Sequence, residues 1–204
     1  MQTEAFWNDR YRQGSPLSSG RPGLAFSLFA GPLQPGRALE LGCGKGDDAV
    51  WLARQGWDVT AVDVSTVALE LAGRNADKAG MAGRVRFEAH DLAQSFPAGA
   101  FDLVVASFLQ SPQEWPRAET LARAATSVTR GGHFLVIEHG SRGSWSAASE
   151  DQRFATADET FAALRLAPRA WRIRGLCPIA RMAEWPDGTS ATLVDNVIFL
   201  QRRI

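Results

Sequence analysis

The stretch LELGCGKGDDAV, residues 39–50, restricts this chain more than any other part of it. An apolar run leads into three glycines spaced one residue apart, and the residues after them have helical character. Strand, glycine turn and helix in succession form a nucleotide pocket in α/β folds. The missing side chains let a ligand approach the backbone, and the helix offers free N–H groups. Which nucleotide it takes is the open question, because Asp47 and Asp48 stand where a phosphate-binding helix would begin.

A regular alternation continues on both sides of this turn. RALELG (37–42), DVTAVDV (58–64), RVRFEAHDL (84–92), FDLVVASFLQ (101–110) and GGHFLVIEHG (131–140) read as strands. The fourth is nearly all apolar, as a strand covered on both faces should be. Helices are expected at 47–56, ended by Gly56, at 65–80 with Ser65 or Thr66 as cap, and at 117–129. Thr156 and Glu159 have capping-box spacing before a further helix. Upstream, a short helix is expected at 4–12, a Gly/Ser/Pro loop at 14–23 and a second short helix at 24–30. Downstream, 168–177 and 191–203 are strand-like, and WPDGTS between them carries an Asp-Gly turn signal, so the chain is expected to close with an antiparallel pair. Alternating strands and helices imply a largely parallel sheet with helices on both faces. A length of 204 residues suits one domain. We divide it into an N-terminal segment (1–36), a core (37–140) and a C-terminal part (141–204).

Charge narrows the partners. The 22 basic and 22 acidic residues balance, so nothing favours a nucleic acid backbone or an anionic membrane. Cys43 and Cys177 have no metal-ligand spacing, no metal is expected, and the polar, aromatic N-terminus lacks the apolar region of a signal peptide. A reduced cytoplasmic protein, monomer or homodimer, is the simplest expectation.

The two aspartates decide between nucleotides. A dinucleotide fold wants glycine at the third position of G-x-G-x-x-G, and counting from Gly42 and Gly44 that position is Asp47. Negative charge at the helix start repels a pyrophosphate while stabilising the helix itself. A cofactor without phosphates, carrying an ammonium and a sulfonium, meets no such objection, and S-adenosyl-L-methionine is one.

At this point the residues carry a family likeness. ELGCGKGDDAVWLARQGWDVTAVDVS, HDL at 90–92 and FDLVVASF resemble the class I S-adenosylmethionine-dependent methyltransferases over about residues 37–140. The FWNDRY opening and the SGRP loop look like the small bacterial tellurite-resistance and thiopurine methyltransferases. The resemblance implies a Rossmann-like, seven-stranded, mainly parallel sheet ending in an antiparallel pair. It implies that Gly42, Cys43, Gly44, Gly46 and Asp47 surround the cofactor, with Cys43 only a small residue in a crowded loop. Asp63 with Val64 then meets the ribose, His90, Asp91 and Leu92 the adenine, and Glu40 the ammonium. Asp63 lies 19 residues beyond Gly44, and a helix-capping role remains open to it.

Trp7, Tyr11, Arg12 and Arg21 precede the core. Either they hold an N-terminal helix to the surface or they form a lid, with Trp7 and an arginine on the cofactor and Tyr11 on the substrate. Ser107, Phe108, Glu138 and His139 follow the fourth and fifth strands, where an open α/β sheet binds ligands. Ser107 and Phe108 are expected beside the cofactor. His139 or Glu138 is the candidate general base, and Trp145 a candidate substrate wall. The expected function is methyl transfer to a small-molecule nucleophile. The rivals are a nicotinamide-dependent oxidoreductase and a protein that only senses the cofactor. SFLQSP stands after the fourth strand in place of an Asn-Pro-Pro-Tyr type tetrapeptide, which counts against a nucleic acid base methylase.

Overall fold

Each glycine-ended segment of the sequence closes one strand–helix unit, and stacking these units builds the sheet. The computed structural model describes residues 2–16, 18–143, 153–184 and 188–204. Helices α1 (Gln2–Gln13) and α2 (Leu24–Ala30) come first. Then follow β1 (Arg37–Leu41), α3 (Asp47–Arg54), β2 (Asp58–Asp63), α4 (Thr66–Lys78), β3 (Val85–Ala89), β4 (Phe101–Ser107), α5 (Arg117–Thr126) and β5 (Val128–His139). The chain ends with α6 (Ala157–Ala163), β6 (Trp171–Glu184) and β7 (Ser190–Arg202). The seven strands lie in the order β3-β2-β1-β4-β5-β7-β6. The first five are parallel, and β7 runs antiparallel between β5 and β6. This is the expected Rossmann-like sheet with its C-terminal antiparallel pair.

Period-two alternation sends the strand side chains into two buried layers. Leu103 and Val105 of β4 pack with Phe26, Leu52 and Trp57 on one face. Val104 and Ala106 pack with Leu121, Ala124 and Leu164 on the other. The layers fix which side chains can meet. Glu40 and His139 alternate with second-face residues and so stand on the first face, whereas Glu138 stands on the second.

Local chemistry sets the boundaries. Ser65 caps α4 by accepting from the Ala68 N–H at 3.1 Å, and Thr156 with Glu159 makes the capping box of α6. Strand β4 stops at Ser107, short of the expected Gln110, because Phe108 takes a left-handed backbone at φ 53°. Helix α5 ends at Thr126, earlier than expected, and β5 starts correspondingly sooner at Val128. The outer strand β6 is longer than expected and runs on to Glu184. Trp145 and residues 185–187, part of the WPDGTS stretch expected to turn, lie outside the described residues. Among the described residues, no helix is long and apolar enough to cross a membrane.

Candidate active site

The loop after β1 needs glycine for two reasons. Gly42, Gly44 and Gly46 have φ of +68°, +53° and +79°, a region that side chains disfavour. A Cβ on Gly42 would also stand 2.5 Å from Leu109 Cδ1, and one on Gly44 2.8 Å from the Tyr11 hydroxyl. Leu109 and Tyr11 therefore close directly over the loop. Cys43 is buried within it, and burial raises its thiol pKa, which disfavours a thiolate.

Four acids gather around this loop. Asp63, 6% exposed at the end of β2, accepts from the backbone N–H of Gly44 and of Ser65, each at 2.9 Å. Burial raises its pKa, against those hydrogen bonds. Glu40 is 2% exposed, and its Oε2 has no hydrogen-bond partner among the described residues. Burial drives its pKa well up, and the nearby charges of Asp48, Asp63 and Asp47 add to the effect. Asp48 is pushed up to about 6, mainly by burial. The first turn of α3 also holds the segment before α2. Asp47 accepts from Ser18 Oγ and from the Gly20 N–H at 2.8 Å, and Asp48 from the Gly23 N–H at 3.0 Å.

Next to the loop lies a cavity of about 300 Å³, at the carboxyl ends of the parallel strands. This is where open α/β sheets take ligands. Trp7 and Tyr11 of α1 line it, with Gly42, Asp63 and Val64, then His90, Asp91 and Leu92 after β3. Beyond β4 the lining continues through Phe108, Leu109, Gln110 and Ser111 to Gln113, Glu114, Trp115 and Pro116. His90 meets Ser95 at 2.9 Å and Glu88 at 3.2 Å, while the Asp91 carboxylate accepts from the Ala93 N–H and from Gln94. Helix α1 is pinned in place by Asn8, whose buried Oδ1 accepts from Ser65 Oγ at 2.7 Å and the Val67 N–H at 3.3 Å. Burial, reinforced by Asp63, pushes the Tyr11 hydroxyl pKa up, so it stays protonated.

The remaining expected residues are more dispersed. Arg12 is solvent-exposed on α1 and pairs with Asp9 at 2.8 Å, and Arg21 is exposed on the segment before α2. Neither lines the cavity. Ser107 is at the end of β4, with its Oγ buried and close to the Asp48 carboxyl, whose ionised form it favours. His139 stacks on Phe108, ring centroids 4.4 Å apart. Burial lowers its pKa, so its imidazole is neutral near pH 7. Glu138 is on the opposite face of the sheet. There it accepts from Arg117 Nη2 at 2.7 Å and from Thr160 Oγ1, tying α5 and α6 to β5. Its two oxygens are committed to that anchor, and it does not meet His139. Sequence reasoning missed Asn8, and it marked residues 107–116 only as a stretch that selects the acceptor, without singling out Leu109, Gln110 or Trp115. Their signals were an amide set between Trp7 and Tyr11 in an aromatic helix and a Pro/Gln-rich stretch directly after a buried strand.

Residues 38–132 match the family model of a methyltransferase domain. Catechol O-methyltransferase of Mycobacterium tuberculosis is 32% identical over 146 residues, which cover 68% of this chain and 64% of that protein. A structure solved in a study of the conversion of a disulfide bond into a thioacetal group during echinomycin biosynthesis superposes with a TM-score of 0.77. It is 23% identical, with 98% of this chain and 92% of that one covered. TehB from Haemophilus influenzae superposes with a TM-score of 0.65 at 15% identity, over 98% of this chain and 67% of that one. At such identities the two structures show the fold alone. The chain spans 16%, 44% and 35% of the length of three other curated methyltransferases that it matches. The fold is thus that of the class I S-adenosylmethionine-dependent methyltransferases. The matched domain is a methyltransferase catalytic domain, and the cofactor it implies is S-adenosylmethionine.

Proposed function

We propose that this protein transfers a methyl group from S-adenosylmethionine to a small-molecule nucleophile. The observation that carries the reading is the buried acid cluster under the glycine loop. Glu40 has an oxygen without a partner and three further acids nearby, so what this site lacks is a cation, not a phosphate. A ligand bearing an ammonium and a sulfonium answers that need, whereas a dinucleotide would bring its pyrophosphate toward Asp47 and Asp48. Residues of the adjoining cavity fit the rest of such a ligand: Asp63 toward a ribose diol, and Val64, His90, Asp91 and Leu92 toward an adenine.

When bound, S-adenosylmethionine supplies an already activated methyl group. The chain's contribution is then alignment and exclusion of water. Tyr11 and Leu109 cover the loop while Trp7 lines the cavity, and holding two reactants in line lowers a barrier by about 7–11 kcal/mol in favourable cases. His139, neutral and stacked beside the cavity wall, is the group able to take a proton from a hydroxyl or amine acceptor. The balance of 22 basic and 22 acidic residues offers no charged surface for a nucleic acid and supports a small acceptor. Kinship with the tellurite-resistance and thiopurine group rests on the FWNDRY and SGRP stretches and belongs to the same proposal.

The test is thermal unfolding with S-adenosylmethionine, S-adenosylhomocysteine, adenosine, NAD and NADP at matched concentrations. A ligand at 100 times its dissociation constant stabilises by about 2.7 kcal/mol, roughly 5–11 °C for a chain of this size. Shifts are expected with the adenosyl ligands and not with NAD or NADP. Asp63→Ala should reduce all of them, and Glu40→Gln those of the two amino-acid-bearing ligands while sparing adenosine. A shift with NAD alone would sink the reading.

A further inference from the structure

A second cavity, of about 330 Å³, shares Phe108 with the first, so that one residue borders both. Leu24 and Phe26 of α2 and Met182 of β6 give it an apolar wall. Its polar end is made by two strands that the sheet order brings together. Arg181 of β6 donates Nε to Asp195 Oδ2 of β7 at 2.6 Å, and its guanidinium lies 6.0 Å from the Phe108 ring. Asp195 is 2% exposed, yet its other oxygen, Oδ1, has no hydrogen-bond partner among the described residues. A buried carboxylate oxygen left unpaired is costly and rare. In register, Asp195 is paired directly with His139 across β5 and β7, so the two share a face.

We propose that this second cavity is the acceptor subsite, taking a small flat apolar molecule through a neutral hydroxyl or arylamine donated to Asp195 Oδ1; the assignment rests on the methyltransferase reading above. Neutrality follows from the ion pair. Arg181 already balances the Asp195 charge, so a cationic amine gains no net attraction there and an anion meets the unpaired oxygen. The apolar wall selects the body of the ligand and the single acceptor selects its donor. Phe108 lines both cavities, so a molecule seated against Asp195 adjoins the cofactor cavity along this ring. Its left-handed backbone, fixed by the Phe108 N–H donating to the Ile137 carbonyl at 2.7 Å, turns the chain between the two spaces.

The experiment is ligand-observed NMR on the full chain with saturating S-adenosylhomocysteine, using phenol and aniline as probes and toluene, benzylamine and benzoate as controls. Phenol and aniline are expected to bind at least tenfold more tightly than the controls. In Asp195→Asn, Arg181 Nε keeps the amide oxygen, so the NH₂ faces the cavity and the preference for phenol should fall to about onefold. Leu24→Trp, at a half-exposed rim position away from the ion pair, should block all probes by filling the space. Both variants should bind S-adenosylhomocysteine as the wild type does. A phenol preference that survives Asp195→Asn, or phenol affinity unchanged by Leu24→Trp, with S-adenosylhomocysteine still bound, would overturn the subsite and leave the methyltransferase reading standing. Failure of the wild type to bind any adenosyl ligand would remove both.

Discussion

Replacing Asp48 by asparagine should stabilise the protein at neutral pH and do little for it in acid. Burial lifts this carboxyl from 3.8 to about 6, in spite of the Gly23 N–H and the Ser107 hydroxyl that favour its ionised form. That difference, about 2.2 units at roughly 1.36 kcal/mol each, makes the ionised form about 3 kcal/mol less favourable inside the fold than in the unfolded chain. Its place in the first turn of α3 returns about 0.3–1 kcal/mol through the helix dipole. Burial wins, and the expected net gain is about 2 kcal/mol at pH 8. The folded-state pKa is raised, so stability from the neutral form is complete below 3.8 and is lost as pH climbs through about 6. The gain from Asp48→Asn should therefore be full at pH 8, about half at pH 5 and nearly gone at pH 4. Asparagine keeps an oxygen for the Gly23 N–H, so the segment before α2 stays anchored. Urea unfolding of both proteins between pH 4 and 8 reads this directly, and at pH 8 the midpoint temperature should rise by about 4–8 °C. A variant less stable than the wild type at pH 8, or a difference that does not change with pH, would refute the reasoning.

Other expectations follow from the same geometry. Asn8→Ala removes two hydrogen bonds between α1 and the start of α4, worth about 1 kcal/mol net; amide exchange in residues 2–13 should quicken about fivefold. Gly42→Ala sets a side chain at φ +68° and against Leu109, at a cost of about 1–2 kcal/mol, and calorimetry should show weaker S-adenosylhomocysteine binding as Leu109 is displaced. Glu138→Ala strands Arg117 and should destabilise by about 3–5 kcal/mol in urea unfolding. At a temperature where that variant is folded, its affinity for S-adenosylhomocysteine should match the wild type.

What the sequence revealed was local. The strand, glycine loop and helix of residues 37–54 are specified by neighbouring residues, because backbone sterics decide where glycine must stand. Asp63 was legible for a like reason, since it ends a strand at a fixed distance from the loop. Boundaries were less so. FDLVVASFLQ reads as one apolar run, and nothing within it marks Phe108 as the residue that leaves the β region. Glu138 and His139 are adjacent in sequence, yet they part to opposite faces, and only the partners on α5 and α6 tell which is the anchor. Pairing of Arg181 with Asp195 depends on the register of two strands, which alternation alone does not fix. Isolation of Glu40 is likewise a property of the packed layers.

The sheet's outer strand has a consequence for self-association. An uncovered strand edge is a template on which another chain can extend the sheet. Strand β6 blunts that tendency by its own composition. Pro178, exposed near its middle, offers no N–H, and Arg172 and Arg174 set exposed positive charge along the same border. The opposite border, β3, has only five residues to offer. Both margins thus disfavour strand addition by a neighbouring molecule to the seven-stranded array.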